Sequence, residues 1–277
     1  MGSPRTTTVC VLVGAVALMA GEAHAGPWAR PLGSVYGRAG YGLFRGRAGF
    51  LQPTDEAPTT FTSRAWELYL ETGLGAHLEL DLSVRHVTNL GTVGDGTTFT
   101  DMGPEDLELT LKWSPRSALN ALGFVVGARQ ALYERLSADG RPTLRGPGGA
   151  DLLLGVGYGR SFWPRRAWVV LDLLLRYRLG SPSSAVRLRA EAGVGLLGPV
   201  SVVGQVEVQP AYGRTGDVAE SAPGPIPTVF SLGAKVLLAL GAGVGLALEG
   251  VWYPEVLNDG PGYRLGFGLT WERAGGR

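Results

Sequence analysis

"DLELTLKW", Asp106 to Trp113, alternates charged or polar residues with leucine and ends on tryptophan. Successive side chains of a strand point to opposite faces, so a period of two predicts a strand with one polar and one apolar side. Leu107, Leu109, Leu111 and Trp113 share one face; Asp106, Glu108, Thr110 and Lys112 share the other. The pattern recurs over 33–44, 62–74, 77–89, 105–113, 121–133, 149–162, 167–178, 184–196, 199–212, 227–239, 242–253 and 262–272. Most of these segments exceed the usual soluble strand of about 5 or 6 residues. They match the roughly 9 to 11 residues that a tilted strand needs to cross a bilayer.

The connections alternate in length. Tight turns are expected at Gly75, near Pro115, at Pro164, at Gly198-Pro199 and at Gly241, and longer polar connections at 45–61, 90–104, 134–148, 213–225 and 254–261, with 179–183 short. An even strand number with short turns at one end and long loops at the other describes an all-β fold: a transmembrane, antiparallel, up-and-down β-barrel of about twelve strands. The short turns and both chain ends are then periplasmic.

Residues 1–25 read as a secretory signal peptide: Arg5, an apolar stretch from Val9 to Ala20, and the small-x-small site Ala23-His24-Ala25. The sole cysteine, Cys10, lies in that segment, so the mature domain 26–277 has no thiol for a disulfide, a metal or catalysis. Beyond it no apolar run is long enough for a membrane helix. Basic and acidic residues balance at 25 and 24, which excludes the basic excess that a nucleic-acid partner requires.

Alternation alone does not separate inside from outside, because a soluble barrel would turn its apolar face inward. Aromatic residues decide for the membrane. Trp66, Trp113, Phe124, Tyr158, Phe230, Trp252, Tyr263 and Trp271 fall towards the ends of the apolar face, where rings settle at the two bilayer interfaces. The polar face carries glycines (Gly123, Gly127, Gly155, Gly157, Gly193, Gly243, Gly245), which suit a curved wall around a lumen. The expected location is the bacterial outer membrane, with the lipid bilayer as the principal partner.

A charge facing lipid costs about 2 to 4 kcal/mol at the midplane, so the charges set the register. The candidate lumen-lining residues are Glu67, Glu71, Glu79, Asp81, Arg85, Asp106, Glu108, Lys112, Arg129, Asp172, Arg176, Arg178, Arg187, Arg189, Glu191, Glu207, Lys235, Glu249 and Arg264, joined by Arg38 and Asp151. Acids concentrate on the second to fourth strands and arginines on the seventh and eighth, roughly opposite in a ring of twelve. That arrangement implies a transverse field across a water-filled lumen, selecting small solutes by passive diffusion. The alternatives are a closed barrel, its charges paired, that binds through its extracellular loops, and a soluble periplasmic barrel.

"GPEDLELTLKW", Gly103 to Trp113, resembles the Gly-x-x-Asp-apolar-x-apolar-x-apolar-Lys-aromatic strand of a family of outer-membrane transporters labelled for the meta-cleavage pathway of phenol degradation. The resemblance rests on Gly103, Asp106, Leu107, Leu109, Leu111, Lys112 and Trp113 and implies passage of small organic, including aromatic, molecules. "GYRLGFGLTWE" at 262–272 resembles the terminal strand by which outer-membrane proteins are recognised by the barrel assembly machinery, although Glu272 to Arg277 follow the last aromatic.

No enzyme is expected. His86 and Thr88 have the spacing of a lipid-hydrolase pair on the outward face, but threonine replaces the usual serine and no other motif part follows. His77 is expected to face the lumen beside Glu79 and Asp81, stacked along one strand rather than converging on a metal. "GPGG" at 146–149 lacks the Lys-Ser/Thr of a phosphate loop and reads as a turn. "SAPGPIPTV" at 221–229 reads as a stiff extracellular loop. No cofactor is expected.

Overall fold

The computed structural model describes residues 28–46, 60–92, 96–115, 119–133, 148–179, 184–212, 229–254 and 261–275. The signal-peptide expectation lies outside them, as do "SAPGPIPTV" up to Thr228 and Gly146 and Pro147 of "GPGG". The strands are β1 (Val35–Gly46), β2 (Thr60–Gly75), β3 (Leu78–Thr92), β4 (Thr98–Trp113), β5 (Asn120–Ala131), β6 (Ala150–Ser161), β7 (Ala167–Arg178), β8 (Ser184–Gly195), β9 (Val200–Gln209), β10 (Ala211–Tyr212), β11 (Val229–Gly241), β12 (Val244–Tyr253) and β13 (Gly262–Arg273).

Every pairing is antiparallel, each strand with its neighbour in sequence, and β1 closes the ring against β13. β10 continues β9 in the same register along β8 beyond Pro210, whose missing N–H interrupts the ladder. The result is a closed barrel of twelve staves, and closure leaves no unpaired strand edge in the hydrocarbon.

The exterior is apolar. Leu107, Leu109, Leu111, Leu154, Leu171, Leu173, Leu188, Leu248 and Leu265 are exposed on it. Trp113, Phe124 and Tyr158 project towards the short-turn end, and Trp66, Trp252, Tyr263 and Tyr177 towards the other. Trp113 and Phe124 stack at 5.8 Å. Two aromatic girdles around an aliphatic band mark the molecule as an integral outer-membrane barrel.

Two departures from strict alternation matter. β3 runs to Thr92 and β4 begins at Thr98, so the connection expected over 90–104 shrinks to five residues. Within that longer pair the register slips between Val84↔Leu107 and His86↔Pro104. The slip is a β-bulge: Glu105 and Asp106 both lie opposite Arg85, and Glu105 pairs with it at 2.9 Å.

His77 does not line the lumen. It is exposed at φ +65° beside Ala76 at φ +49° in the tight β2–β3 turn. Successive positive φ values give the turn whose twist matches antiparallel strands. Gly243 likewise sits in the β11–β12 turn, not on the inner face.

Candidate functional site: the lumen and its N-terminal plug

Alternation and register place Glu67, Glu71, Glu79, Asp81, Arg85, Asp106, Glu108, Lys112, Arg129, Asp172, Arg176, Arg178, Arg187, Arg189, Glu191, Glu207, Lys235, Glu249 and Arg264 on the inner face, with Arg38 and Asp151. Two contacts bridge non-adjacent staves. Arg38 of β1 reaches Glu249 of β12 at 3.3 Å, and Lys235 of β11 reaches Glu191 of β8 at 3.3 Å.

Three hubs gather most of the charge. Asp151 accepts from Arg129 (3.0 Å), Arg176 (2.6 Å) and Arg178 (2.8 Å), and Arg129 also bonds Asp106. Arg178 is wholly buried. Glu249 accepts from Arg264 (2.6 Å), Arg38 (3.3 Å) and Gln205 (3.3 Å). Glu191 accepts from Arg189 (2.7 Å) and Lys235 (3.3 Å). Partners arranged in this way offset the desolvation cost of burying the charge.

Five inner charges stand apart. Among the described residues Glu67, Glu108, Asp172, Glu207 and Arg187 make no hydrogen bond or ion pair. Arg187 lies on the inner face of β8, in the strand next to Asp172 on β7 and four staves round the ring from Glu108 on β4.

The short-turn end holds a feature that alternation did not reveal. Residues 28–34, ahead of β1, turn into the barrel. Trp28 reaches the far wall and is buried among Ala121, Trp168, Val170 and Val203, with Leu237 against it. The Arg30 side chain, 1% exposed, bonds Glu71 through Nε and Glu272 through Nη1 at 2.9 Å, while its backbone N–H donates to Glu79 at 2.7 Å. Its guanidinium lies 4.6 Å over the Tyr36 ring. Burial alone would lower the Arg30 pKa, but the carboxylates of Glu71, Glu272 and Glu79 outweigh it and hold the guanidinium above its ordinary value.

Lys112 completes the cradle by pairing with Glu79, and the Tyr69 hydroxyl donates to Glu71 at 2.8 Å. The segment is also stitched to the wall: Gly33 N–H donates to Gly73 O (2.9 Å) and Gly73 N–H to Ser34 O (3.0 Å). Gly73 is required there, because a Cβ would stand 2.0 Å from Pro31 O.

Trp28, Arg30 and Glu105 were not among the residues expected to line the lumen. The signal for the first two was present: the stretch after the expected cleavage site is "GPWARPLG", whose tryptophan and arginine need a partner that a free linker does not. Glu105 is invisible to a period-two reading because a bulge moves it inward. At the opposite mouth Phe44, Phe61 and Tyr253 also point inward, with ring centroids 5.9 Å (Phe44–Phe61) and 5.5 Å (Phe44–Tyr253) apart. His86 and Thr88 lie outside the barrel, paired in register with Trp66 and Arg64.

Solved structures similar to this barrel include an outer-membrane channel, a porin and an autotransporter translocator. The barrel is similar to an outer-membrane channel from Pseudomonas putida F1, at 14% identity and TM-score 0.68, covering 90% of this chain and 98% of that one. The NanC porin is similar at 7% identity and TM-score 0.52, covering 86% and 98%. The translocator domain of the autotransporter NalP from Neisseria meningitidis is similar at 11% identity and TM-score 0.55, covering 96% and 97%. No protein-family model and no curated protein matches the chain by sequence. At these identities the likeness establishes the fold: a porin-like outer-membrane β-barrel.

Proposed function

We propose that the protein is a passive outer-membrane channel for small organic solutes whose periplasmic end is closed by its own N-terminal segment. The observation that carries this reading is the lumen itself. A wall of paired charges leaves Glu108, Asp172 and Arg187 without an ion pair among the described residues, and a separately anchored segment fills only one end. A fixed transverse field orients dipolar solutes in transit, and the fold shared with a channel and porins supports passage through the barrel. The inward Phe44, Phe61 and Tyr253 favour solutes with an aromatic or apolar part. The resemblance of Gly103–Trp113 to the transporters labelled for phenol degradation points the same way. The outward row Tyr263, Leu265, Phe267, Leu269 and Trp271 on β13 supports recognition by the assembly machinery.

The test is single-channel recording in planar bilayers, comparing the mature chain with a variant lacking residues 27–33. The deletion is expected to raise both conductance and open time. Absence of discrete steps from both folded proteins would sink the channel. It would leave the second reading, a closed barrel working through its extracellular loops, which the charge-filled hub around Asp151 favours.

A further inference from the structure

On the lipid-facing wall at the short-turn end, Arg160 is the penultimate residue of β6 and is exposed. Its guanidinium lies 5.3 Å above the centroid of Phe162. The β6–β7 turn then presents Trp163, 69% exposed, and Arg165. With Leu119 and Asn120 at the start of β5, these residues line a cleft of about 310 Å³. Among the described residues neither the Arg160 nor the Arg165 guanidinium makes a hydrogen bond or ion pair. The next residue differs: Arg166 donates to Gly198 O at 2.8 Å and ties this turn to the β8–β9 turn, so the cleft has a fixed edge.

Charge in the turns at this end is of one sign. The turns between paired strands at the short-turn end, 76–77, 114–119, 162–166, 196–199 and 242–243, contain Arg116, Arg165, Arg166 and His77 but no aspartate or glutamate. The long connections at the other end carry nine acids (Asp55, Glu56, Asp95, Glu134, Asp139, Asp217, Glu220, Glu255 and Asp259) against five arginines (Arg47, Arg135, Arg141, Arg145 and Arg214). Two guanidiniums lining one cleft, that of Arg160 over the Phe162 ring, at the depth where the bilayer turns polar, form a receptor for a phosphodiester. Arginine forks chelate phosphate oxygens, and rings such as Phe162 and Trp163 settle at headgroup level.

We propose that this cleft binds the phosphate of an anionic glycerophospholipid of the periplasmic leaflet. Arg160 and Arg165 grip the headgroup, and Leu119, Phe162 and Trp163 receive the glycerol and first methylenes. The site is independent of the lumen and of any transport through it.

The test uses the purified mature chain in mixed micelles of phosphatidylcholine and phosphatidylglycerol, with retained lipid read by native mass spectrometry. Each interfacial cation adds about 1 kcal/mol of attraction to anionic lipid, so two give roughly a thirtyfold preference for phosphatidylglycerol. Arg160→Gln with Arg165→Gln is expected to bring retention of the two lipids to parity while heat-modifiable migration shows the barrel still folded. Arg165→Gln alone, in an exposed turn, is expected to remove about fivefold and serves if the double variant misfolds. Arg160→Lys with Arg165→Lys should fall between. Equal retention of both lipids by the native chain, or a preference that survives the glutamine changes, would overturn the proposal. Displacement of phosphatidylglycerol by millimolar inorganic phosphate would assign the cleft to a free anion and overturn it as well.

Discussion

Replacing Arg30 by methionine keeps the length of the side chain and removes its charge. The loss falls on Glu71, 2% exposed, and on the partly buried Glu272, while the backbone N–H of residue 30 still donates to Glu79. Breaking a buried pair by deleting one partner costs about 3–5 kcal/mol. Besides the ion pairs, Trp28 and the hydrogen bonds of the Arg30, Gly33 and Ser34 backbone hold the segment. Trp28 buries an aromatic surface of roughly 150–250 Å², about 4–6 kcal/mol at 25 cal/mol per Å². Ordering the backbone of residues 28–34 costs about 1–2 kcal/mol per residue, or roughly 7–14 kcal/mol in all. The ion pairs therefore tip the balance. Losing them shifts the ratio of plugged to unplugged barrels by roughly two to three and a half powers of ten at 1.36 kcal/mol per decade. In planar bilayers the Arg30→Met protein should open more often and for longer than the native protein at equal insertion, and Arg30→Lys should recover part of the closure. Traces from Arg30→Met that match the native protein, with heat-modifiable migration intact, would refute the latch.

Other consequences are open to direct measurement. Gly73→Val should expel the segment sterically, since even a Cβ there stands 2.0 Å from Pro31 O; conductance should rise as for the deletion, without loss of the folded electrophoretic form. Asp151→Asn strips the shared anion from Arg129, Arg176 and the fully buried Arg178, and should lower unfolding stability by about 3–5 kcal/mol in urea titrations. Arg187→Glu replaces an inner cation that makes no ion pair among the described residues. It should move the reversal potential in a salt gradient towards cation preference, with stability changed by less than about 1 kcal/mol. Leu109→Arg, on the lipid face, should destabilise the barrel by about 2–4 kcal/mol in lipid vesicles.

The architecture was legible because a membrane barrel writes its geometry locally. Strand length, the sign of each alternate residue and the spacing of turns are short-range properties, and twelve segments read from them correspond to twelve staves. What escaped was either non-local or aperiodic. The approach of Trp28 to Ala121, Trp168 and Val203 joins positions far apart in sequence, and nothing in the heptapeptide 28–34 has a period. The bulge at Glu105-Asp106 breaks the rule that exposed the rest, moving a carboxylate inward and letting β3 and β4 extend beyond their expected ends. His77 followed the alternation of its strand on paper, but a two-residue turn with positive φ takes it out of the ladder.

The inner charges divide into two kinds with different work. Those around Asp151, Glu249, Glu191 and the Arg30 cradle are satisfied by neighbouring or facing staves, and buried pairs of that sort add little net stability. Their physical effect is on register. A slip of one residue would turn the whole inner set of a strand into hydrocarbon, at about 2–4 kcal/mol for each cation near the midplane. No alternative pairing of β4, β7 or β8 competes on those terms. Glu67, Glu108, Asp172, Arg187 and Glu207 contribute to the same exclusion, yet, with no ion pair or hydrogen bond to one another or to the hubs, they keep their fields in the lumen. Exchanging a whole paired hub for apolar residues of matching volume should therefore disturb assembly more than selectivity. Neutralising Glu108 and Arg187 together should alter ion preference and leave assembly nearly as it was. If both changes affected the two properties alike, the division between charges that fix the wall and charges that meet the solute would have no basis.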